Sequence, residues 1–583
     1  MHKFILFIKE FHIYKKKELL GAVASFSKKQ FLIFVGILVV AFISIIILLG
    51  KVNSMFLVNV PISGGTITEG IVGVPTLVNP VIALSDADKD LTSLVYSGLM
   101  RKTPDGKFIP DLAESYTVTP DGINYTFIIK KNAKFQNGKN VTADDVIFTI
   151  EKIKDPTTKS PRKTGWDGVT VSKKDAYTVV FTLASPYISF IDNTTIGILP
   201  SLLWKNVNTN EFNLSPLNTK AIGSGPYKIK SVIKNGDGIS LEYKLERFND
   251  FSLGKPRIKY LNIISYANER DLVKALLNHS VDQAGGISPE NTNSIKRGDY
   301  TIHEATLPRI FGIFFNSNNN KIFNDQAVIK AFDKAIDRQD IVDQVLEGYG
   351  SIIYSPIPEK IIPSTPREEY SSTTIDEANL ILDKAGWVVG RDGIRTKGGT
   401  TTKTKTPALR LSFSLTTGDT PELKQTTLLL QEQLKKIGAE VDISKVYETG
   451  QLNQLIRARN YEALFFGQVV NHESDLYSFW HGSQRTDPGL NIAMYNNKKV
   501  DTILESIQKT LNIEDRITKY QDLAKEFNNN IPAILIYSPK YLYITAPELN
   551  NISLENITIP SDRFSSIYTW SANTDKVWKI FTK

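Results

Sequence analysis

The sequence predicts an α/β protein carried behind one membrane-spanning helix. Three observations predict it. Helix, glycine and strand follow one another, as in Leu423–Ile437, Gly438 and Val441–Ile443, the pattern of α/β or α+β domains. Short stretches in the first third alternate apolar and polar residues, as half-buried strands do. One run, Phe31–Leu49, holds 19 residues of which only Ser44 is polar. At about 1.5 Å per residue, a helix of that length nearly spans a hydrocarbon core.

Composition narrows the function classes. The chain has 583 residues, 41% hydrophobic and 22% charged, as a globular protein with a large core has. It has no cysteine, which excludes disulfides, thiolate zinc sites, iron–sulfur clusters, a cysteine nucleophile and a lipid anchor on cysteine. With six histidines, a metalloenzyme is a weak reading. The net charge of +8 sits mostly in residues 1–51, where Lys3, Lys9, Lys15, Lys16, Lys17, Lys28, Lys29 and Lys51 face only Glu10 and Glu18. The rest is near neutral, with acids and bases interspersed. No basic stripe matches a phosphate backbone, so nucleic acid is not an expected partner.

Residues 1–30 form an N-terminal segment, 31–50 the anchor and 51–63 a linker with Pro61. Lysines precede the apolar run and only Lys51 closely follows it, so the N-terminus belongs in the cytoplasm and the rest outside. A cleaved signal peptide is the alternative. Against it stand the long apolar run, the long leading segment and the absence of a small-x-small site. Phe4–Ile8 either lies on the cytoplasmic membrane face or is a disordered tail. Further on, Tyr125, Phe127 and Ile129 alternate, as do Tyr177, Val179, Phe181 and Leu183, and then Leu409, Leu411, Phe413 and Leu415. Thr142 starts a helix with Asp145 at the capping-box position. Val328, Phe332 and Ala335 mark another helix, and Asp340 is expected to cap one that runs through Val345 to Gly348. Gly438 suits a left-handed helix stop. Asp121-Gly122 suits a hairpin, and Gly225-Pro226 a crossing with unusual backbone angles.

An ordered series of motifs runs through this body. It begins with Tyr96-Ser-Gly-Leu-Met100, Asp105-Gly106, Ile109-Pro-Asp-Leu-Ala-Glu-Ser115 and Asp121-Gly122. Tyr125-Thr-Phe127, Lys134-Phe-Gln-Asn-Gly138 and Thr142-Ala-Asp-Asp-Val146 follow. Gly223-Ser-Gly-Pro-Tyr227, Phe315-Asn316, Phe323-Asn-Asp325, Ala335-Ile-Asp-Arg338, Ala385-Gly-Trp387 and Leu434–Gly438 complete it. Over about residues 64–580 the series resembles the family 5 bacterial extracellular solute-binding proteins, the oligopeptide- and dipeptide-binding components of ABC importers. The resemblance implies a two-lobed, periplasmic-binding-protein-like clamp (type II, cluster C) with an extra N-terminal subdomain. Lobe one would comprise 64–85, 220–302 and 540–583, the inserted subdomain 86–219, and lobe two 303–539. Crossings near 303 and 539 would act as hinges. The expected protein is not an enzyme, needs no cofactor and works as a monomer. It stays on the cell membrane with its binding domain at the cell surface or in the periplasm. Its partners are a peptide ligand and an ABC permease with its ATPase.

Relatives grip peptides by backbone hydrogen bonds in the manner of strand addition. By resemblance, Glu69, Gly70, Ile71, Val72 and Gly73 supply one edge, and Phe466, Gly467 and Gln468 the other. The loop Asn471–Phe479 departs from the family's pattern. Peptide-binding relatives carry an Asp for the ligand's α-amino group three residues before an acid-Pro-x-x-Phe run. Here Asp475-Leu-Tyr-Ser-Phe479 resembles that run, with Leu476 in place of Pro and His472 in place of the Asp. Either the adjacent Glu473 takes the amine, or the ligand has no free amine. Asp475 is a ligand contact or a turn cap. Trp166, Trp387 and Trp480 stack on ligand rings or fill the core. His472 with His481 would suit a metal chelate or haem. A sugar ligand, or a receptor or chaperone-like surface protein without transport, are further alternatives. His472-Glu473-Ser474-Asp475 is contiguous, so it does not make a catalytic triad.

Overall fold

The computed structural model describes residues 21, 25–187, 189–296, 300–357, 374–398, 408–470, 475–510, 512–572 and 574–578. Its principal elements are, in chain order, α1 (Lys28–Phe56), β1 (Leu57–Pro61), β2 (Thr66–Val72), α2 (Asp86–Val95), β3 (Tyr260–Tyr266), β4 (Gln283–Gly285), β5 (Thr301–Thr306), β6 (Arg309–Phe315), β7 (Ser412–Gly418), α3 (Pro421–Lys435), β8 (Ala463–Val469), α4 (Asp475–Trp480), β9 (Ala533–Thr545) and β10 (Thr574–Trp578). They fall into two compact units, Met1–Ile62 with Asn573–Lys583, and Ser63–Ala572.

In the first unit, α1 contains the expected anchor, and Lys28–Asn53 is long and apolar enough to cross a membrane. The expected linker is not a loop. The helix continues to Phe56, and β1 follows at once. Nothing in Lys51–Phe56 breaks a helix, and the next proline is Pro61. β1 pairs antiparallel with β10, from Leu57 opposite Trp578 to Pro61 opposite Thr574. The strand Thr574–Trp578 therefore belongs to the first unit and not to lobe one, whose expected range 540–583 includes it.

In the second unit, a sheet of thirteen strands among the described residues has a main path of ten, in the order Glu440–Asp442, β7, β8, β6, β9, β4, β2, β3, Ser240–Arg247, Tyr227–Lys234, while β5 and Gly350–Ile352 pair with β9 and Val446–Tyr447 with β7 off that path. β9 spans its middle. Residues 540–545 pair with β5, and 533–537 pair with β6. Buried apolar side chains divide at the same place. One set runs from Ile67 to Leu307 and from Tyr541 to Trp570. The other lies within Ile310–Tyr537. The chain thus crosses between cores at Leu307-Pro308 and at Ser538-Pro539, a few residues beyond 303 on the first pass because β5 still pairs with the first side. The Ser538 hydroxyl donates to the Leu307 carbonyl at 3.2 Å, tying the two crossings together. Residues 86–219 carry a four-stranded sheet of their own, Ala113–Val118, Asn124–Ile129, Thr178–Leu183 and Val169–Asp175, but share their apolar core with the first side.

Local signals explain the elements. Asp145 accepts from the Thr142 backbone and hydroxyl, both at 2.9 Å, and its other oxygen accepts from Ser201 N at 2.8 Å. The helix Arg338–Val345 is capped by Asp337, not Asp340. The Asp340 N–H donates to the Asp337 carboxylate at 3.1 Å, because the cap sits three residues before the N–H it serves. Gly225 is needed for a reason other than backbone angle. A Cβ there would lie 2.6 Å from Tyr96 N and from Val95 C, so the strand Tyr227–Lys234 is entered through a close approach to the end of α2.

Candidate functional site

Among the described residues, two strand stretches keep one flank of their backbone unpaired. β8 is matched to β6 throughout, from Ala463 opposite Phe315 to Val469 opposite Arg309. On its other flank β7 pairs only with Ala463 and Leu464, and the Thr417 hydroxyl donates to the Phe465 carbonyl at 3.0 Å. From Phe466 to Val469 that flank has no strand partner among the described residues. β2 ends similarly. β3 accompanies it from Thr66 to Val72, but β4 only at Glu69 and Gly70. Ile71 and Val72 keep one open flank, and the Val72 side chain is exposed. An open flank is a row of N–H and C=O groups that an extended chain can complete.

The structure divides the first group of expected contacts. Glu69 and Gly70 are paired on both flanks, so at this point β2 is an interior strand and offers no edge. The Glu69 side chain is 0% exposed. Its Oε1 accepts from Arg563 at 2.8 and 3.0 Å, and its Oε2 from the Tyr543 hydroxyl at 2.9 Å. Arg563 also grips Asp90 in a two-bond fork, at 2.8 and 2.6 Å. Burial raises the carboxyl groups of Glu69 and Asp90 above their ordinary range, against the pull of Arg563. Glu69 is therefore part of a structural charge network. Gly73 closes the strand, its N–H donating to the Tyr266 carbonyl at 2.8 Å.

Phe466, Gly467 and Gln468 all lie on the open stretch of β8. Gly467 sits under the Phe311 ring, whose Cε1 and Cζ would be 2.7 Å from a Cβ. Phe311 stacks in turn on Tyr537 at 5.3 Å. The Tyr537 hydroxyl donates to Glu422 in the first turn of α3 at 3.2 Å. Burial raises the Glu422 carboxyl. Arg309 faces Val469 in register, and its guanidinium makes no ion pair or hydrogen bond among the described residues. Neither Arg309 nor Phe311 stands out in the sequence. The available signal is an Arg after Pro308, opening an apolar strand that pairs with the expected edge.

His472 and Glu473 lie outside the described residues. Asp475 opens α4, so residues 475–480 are helix and not loop. A carboxylate in a first turn favours the helix dipole. Trp480 is 1% exposed, packed on Phe314 and Phe527, and belongs to the core rather than to a ligand surface. Its neighbours on α4 fold it inward, with Leu476 on the same buried face. Trp166 and Trp387 are buried too, and the Trp387 indole donates to Asp325 at 3.0 Å. His481 is spoken for. Its Nδ1 lies 2.8 Å from Ser483 Oγ, its Nε2 3.3 Å from Glu505, and its ring stacks on Tyr477. No group of three metal-ligating side chains occurs among the described residues. A cavity of about 260 Å³ lies elsewhere, between residues 80–197 and the segment 558–565.

Residues 107–488 match the family described as bacterial extracellular solute-binding proteins, family 5 Middle. The oligopeptide-binding protein AppA of Bacillus subtilis is 30% identical over 506 residues, covering 82% of this chain and 87% of that protein. The solved structure of that AppA, in complex with a nonapeptide, superimposes with a TM-score of 0.67 at 26% identity, covering 88% of this chain and 99% of the other. NikZ from Campylobacter jejuni, solved in complex with Ni(L-His), shares the fold with a TM-score of 0.68 at 24% identity, over 87% of this chain and 99% of the other.

Proposed function

The chain belongs to family 5 of the bacterial extracellular solute-binding proteins, and from that premise we propose that it captures peptides outside the cell for an ABC importer. The observation that carries this reading is the open flank of Phe466–Val469. It presents a row of backbone groups, and a peptide is the ligand that completes such a row. The open flank at Ile71–Val72 lies across the crossings, on the first core's strand β2. A ligand bonded to both stretches bridges the two cores. The crossings at Leu307-Pro308 and Ser538-Pro539 are the few-residue joints that closure over such a ligand requires. A ligand selects the closed state only through contacts it makes to both sides.

Arg309, beside Val469 and without an ion pair among the described residues, gives the peptide's carboxylate a partner. Glu473 and Asp475 are the acids nearest in sequence that would take the amine. The helix Lys28–Asn53 stays uncleaved and holds the binding unit at the outer membrane face, where closeness to the permease raises its effective concentration. The protein acts as a monomer without cofactor.

Mass spectrometry of small molecules released from the purified full chain tests the reading. A ladder of short peptides of varied sequence is the expected result. A single non-peptide species would replace the ligand class and leave the importer role in place.

A further inference from the structure

We propose that the second unit carries a lipid-binding face, formed where the hairpin 227–247 and the segment 255–260 meet the start of β2, and that its partner is a membrane surface with anionic headgroups. The inference rests on the proposed role of α1 as an uncleaved anchor. It starts from a surplus of charge. The body of the chain is near neutral, but residues 227–260 hold eight bases and four acids. Three of the acids are matched. Glu246 pairs with Lys228 at 3.6 Å, Glu242 with Lys244 at 3.8 Å, and Asp250 with Lys134 at 3.1 Å. The fourth, Asp237, lies in the turn at the far end of the hairpin, bonded to Asn235.

The cations left over are gathered rather than scattered. Lys230, Lys255, Arg257 and Lys259 are exposed, and none makes an ion pair among the described residues. Lys230 Nζ and Lys259 Nζ both stand over the Tyr260 ring, 5.1 and 4.9 Å from its centre. Arg247 joins them, its guanidinium donating to the carbonyls of Pro256 at 3.3 Å and Arg257 at 3.0 Å. These acceptors are neutral, so its charge adds to the field. Like charges held this close repel one another unless an anionic partner stands against them. The cations are exposed on an open face, which suits a plane of headgroups.

The tether supplies the second observation. The second unit begins at Ser63, and Ser63 is bonded into this face. The Arg257 carbonyl accepts from Ser63 Oγ at 3.1 Å and from Gly64 N at 2.8 Å, and Tyr260 lies opposite Thr66 in register. The helix long enough to cross a membrane ends at Asn53. Even fully extended, the ten residues 54–63 reach no more than about 36 Å. A chain anchored by that helix therefore keeps these cations close to a bilayer, at high effective concentration over its headgroups. Each basic side chain near an anionic surface adds to the attraction, which falls off within a Debye length. The charge is assembled from strands and a loop more than 20 residues apart, so no basic stripe shows along the sequence.

Energy transfer from the protein to the lipid surface tests it. The chain has no cysteine, so Asn249→Cys places a single donor dye beside the face. Gly236→Cys places one at the far end of the hairpin, where a Cβ meets nothing within 4 Å. The full chain is reconstituted in nanodiscs with acceptor-labelled headgroups, made of phosphatidylcholine alone or with phosphatidylglycerol added. Transfer from residue 249 should be higher on the anionic discs and return to the neutral-disc value in about 0.5 M salt. Transfer from residue 236 should rise less. Lys230→Gln, Arg257→Gln and Lys259→Gln combined should hold residue 249 at the neutral-disc value on both lipids. All three side chains are exposed, so this variant should unfold close to the wild-type temperature. Equal transfer on the two lipids, or a lipid dependence that survives the triple variant, would overturn the face. A chain that fails to enter the discs would overturn the anchor on which the inference rests.

Discussion

At the scale of single residues, the buried Glu69–Arg563–Asp90 network has the largest predicted consequences. It sets two carboxylates against one guanidinium, with Arg563 2% and Glu69 0% exposed. Breaking such a cluster by removing its cation leaves uncompensated buried charge, so Arg563→Met should cost about 3–5 kcal/mol in urea unfolding. The carboxyls of Glu69 and Asp90 are raised above their ordinary values of 4.5 and 3.8, first by burial. A raised acid binds its proton more tightly folded than unfolded, so its contribution to stability falls as pH rises from the ordinary value through the raised one. Glu69→Gln removes one of these titrations. The variant should therefore gain on the wild type as pH goes from about 4 upward, read as the difference in urea midpoints; a constant difference would show that Glu69 does not titrate in the fold. The resemblance picks out β2 correctly as a strand but not which of its residues face a ligand. Its period of two says nothing about which neighbours flank it, and β4, which covers Glu69 and Gly70, comes from more than 200 residues away. Arg309 passes unnoticed for the same reason. Its place beside Val469 is a pairing across the sheet, invisible in local spacing.

At the scale of elements, legibility follows locality. Helix starts and stops are written within four or five residues, so the helix after Thr142, the glycine stop at Gly438 and the hairpin at Asp121-Gly122 are all readable, and all are present. The cap of Arg338–Val345 is displaced from Asp340 to Asp337 because two aspartates three residues apart can each play the part, and only the geometry chooses. The linker is misread for a related reason, since β1 needs β10, a strand from the far end of the chain, to exist at all. Asp145 shows what a local signal is worth when it is also used at long range. It caps its own helix and holds Ser201 N at 2.8 Å and Ser201 Oγ at 2.7 Å. Asp145→Ala should lose the cap and strand a second backbone N–H. The expected cost is about 3 kcal/mol, above the 1 kcal/mol typical of a cap alone. Ser201→Ala should cost well under half of that, because the backbone bond to Asp145 survives. Equal losses in the two variants would mean that the long-range bond, and not the cap, carries the effect.

At the scale of the molecule, the chain passes between the two cores through a continuous strand and one short connection, tied together at Leu307 and Ser538, and polar contacts such as Asn293 to Glu347 at 3.2 Å also reach across. The closure proposed above would bend this joint, where few side chains must repack. Among the described residues no core cluster extends across it, so a rotation about it would leave each core intact. The absence of cysteine makes this testable without background labelling. Lys131→Cys and Lys435→Cys place one exposed label site on each side of the joint. With a donor and acceptor dye on this pair in the full chain, added peptide should shift the transfer efficiency to a new value that saturates with the bound fraction. Arg309→Gln should move the midpoint to higher peptide concentration without changing the end value, because it weakens the grip and not the joint. A pair of labels both on the first core, at Lys131 and Lys234, should give no shift, since closure moves one core against the other. Binding by calorimetry with no change in the cross-joint efficiency would mean that the ligand rests on one core alone. The open flanks of β2 and β8 would then not be two halves of one site.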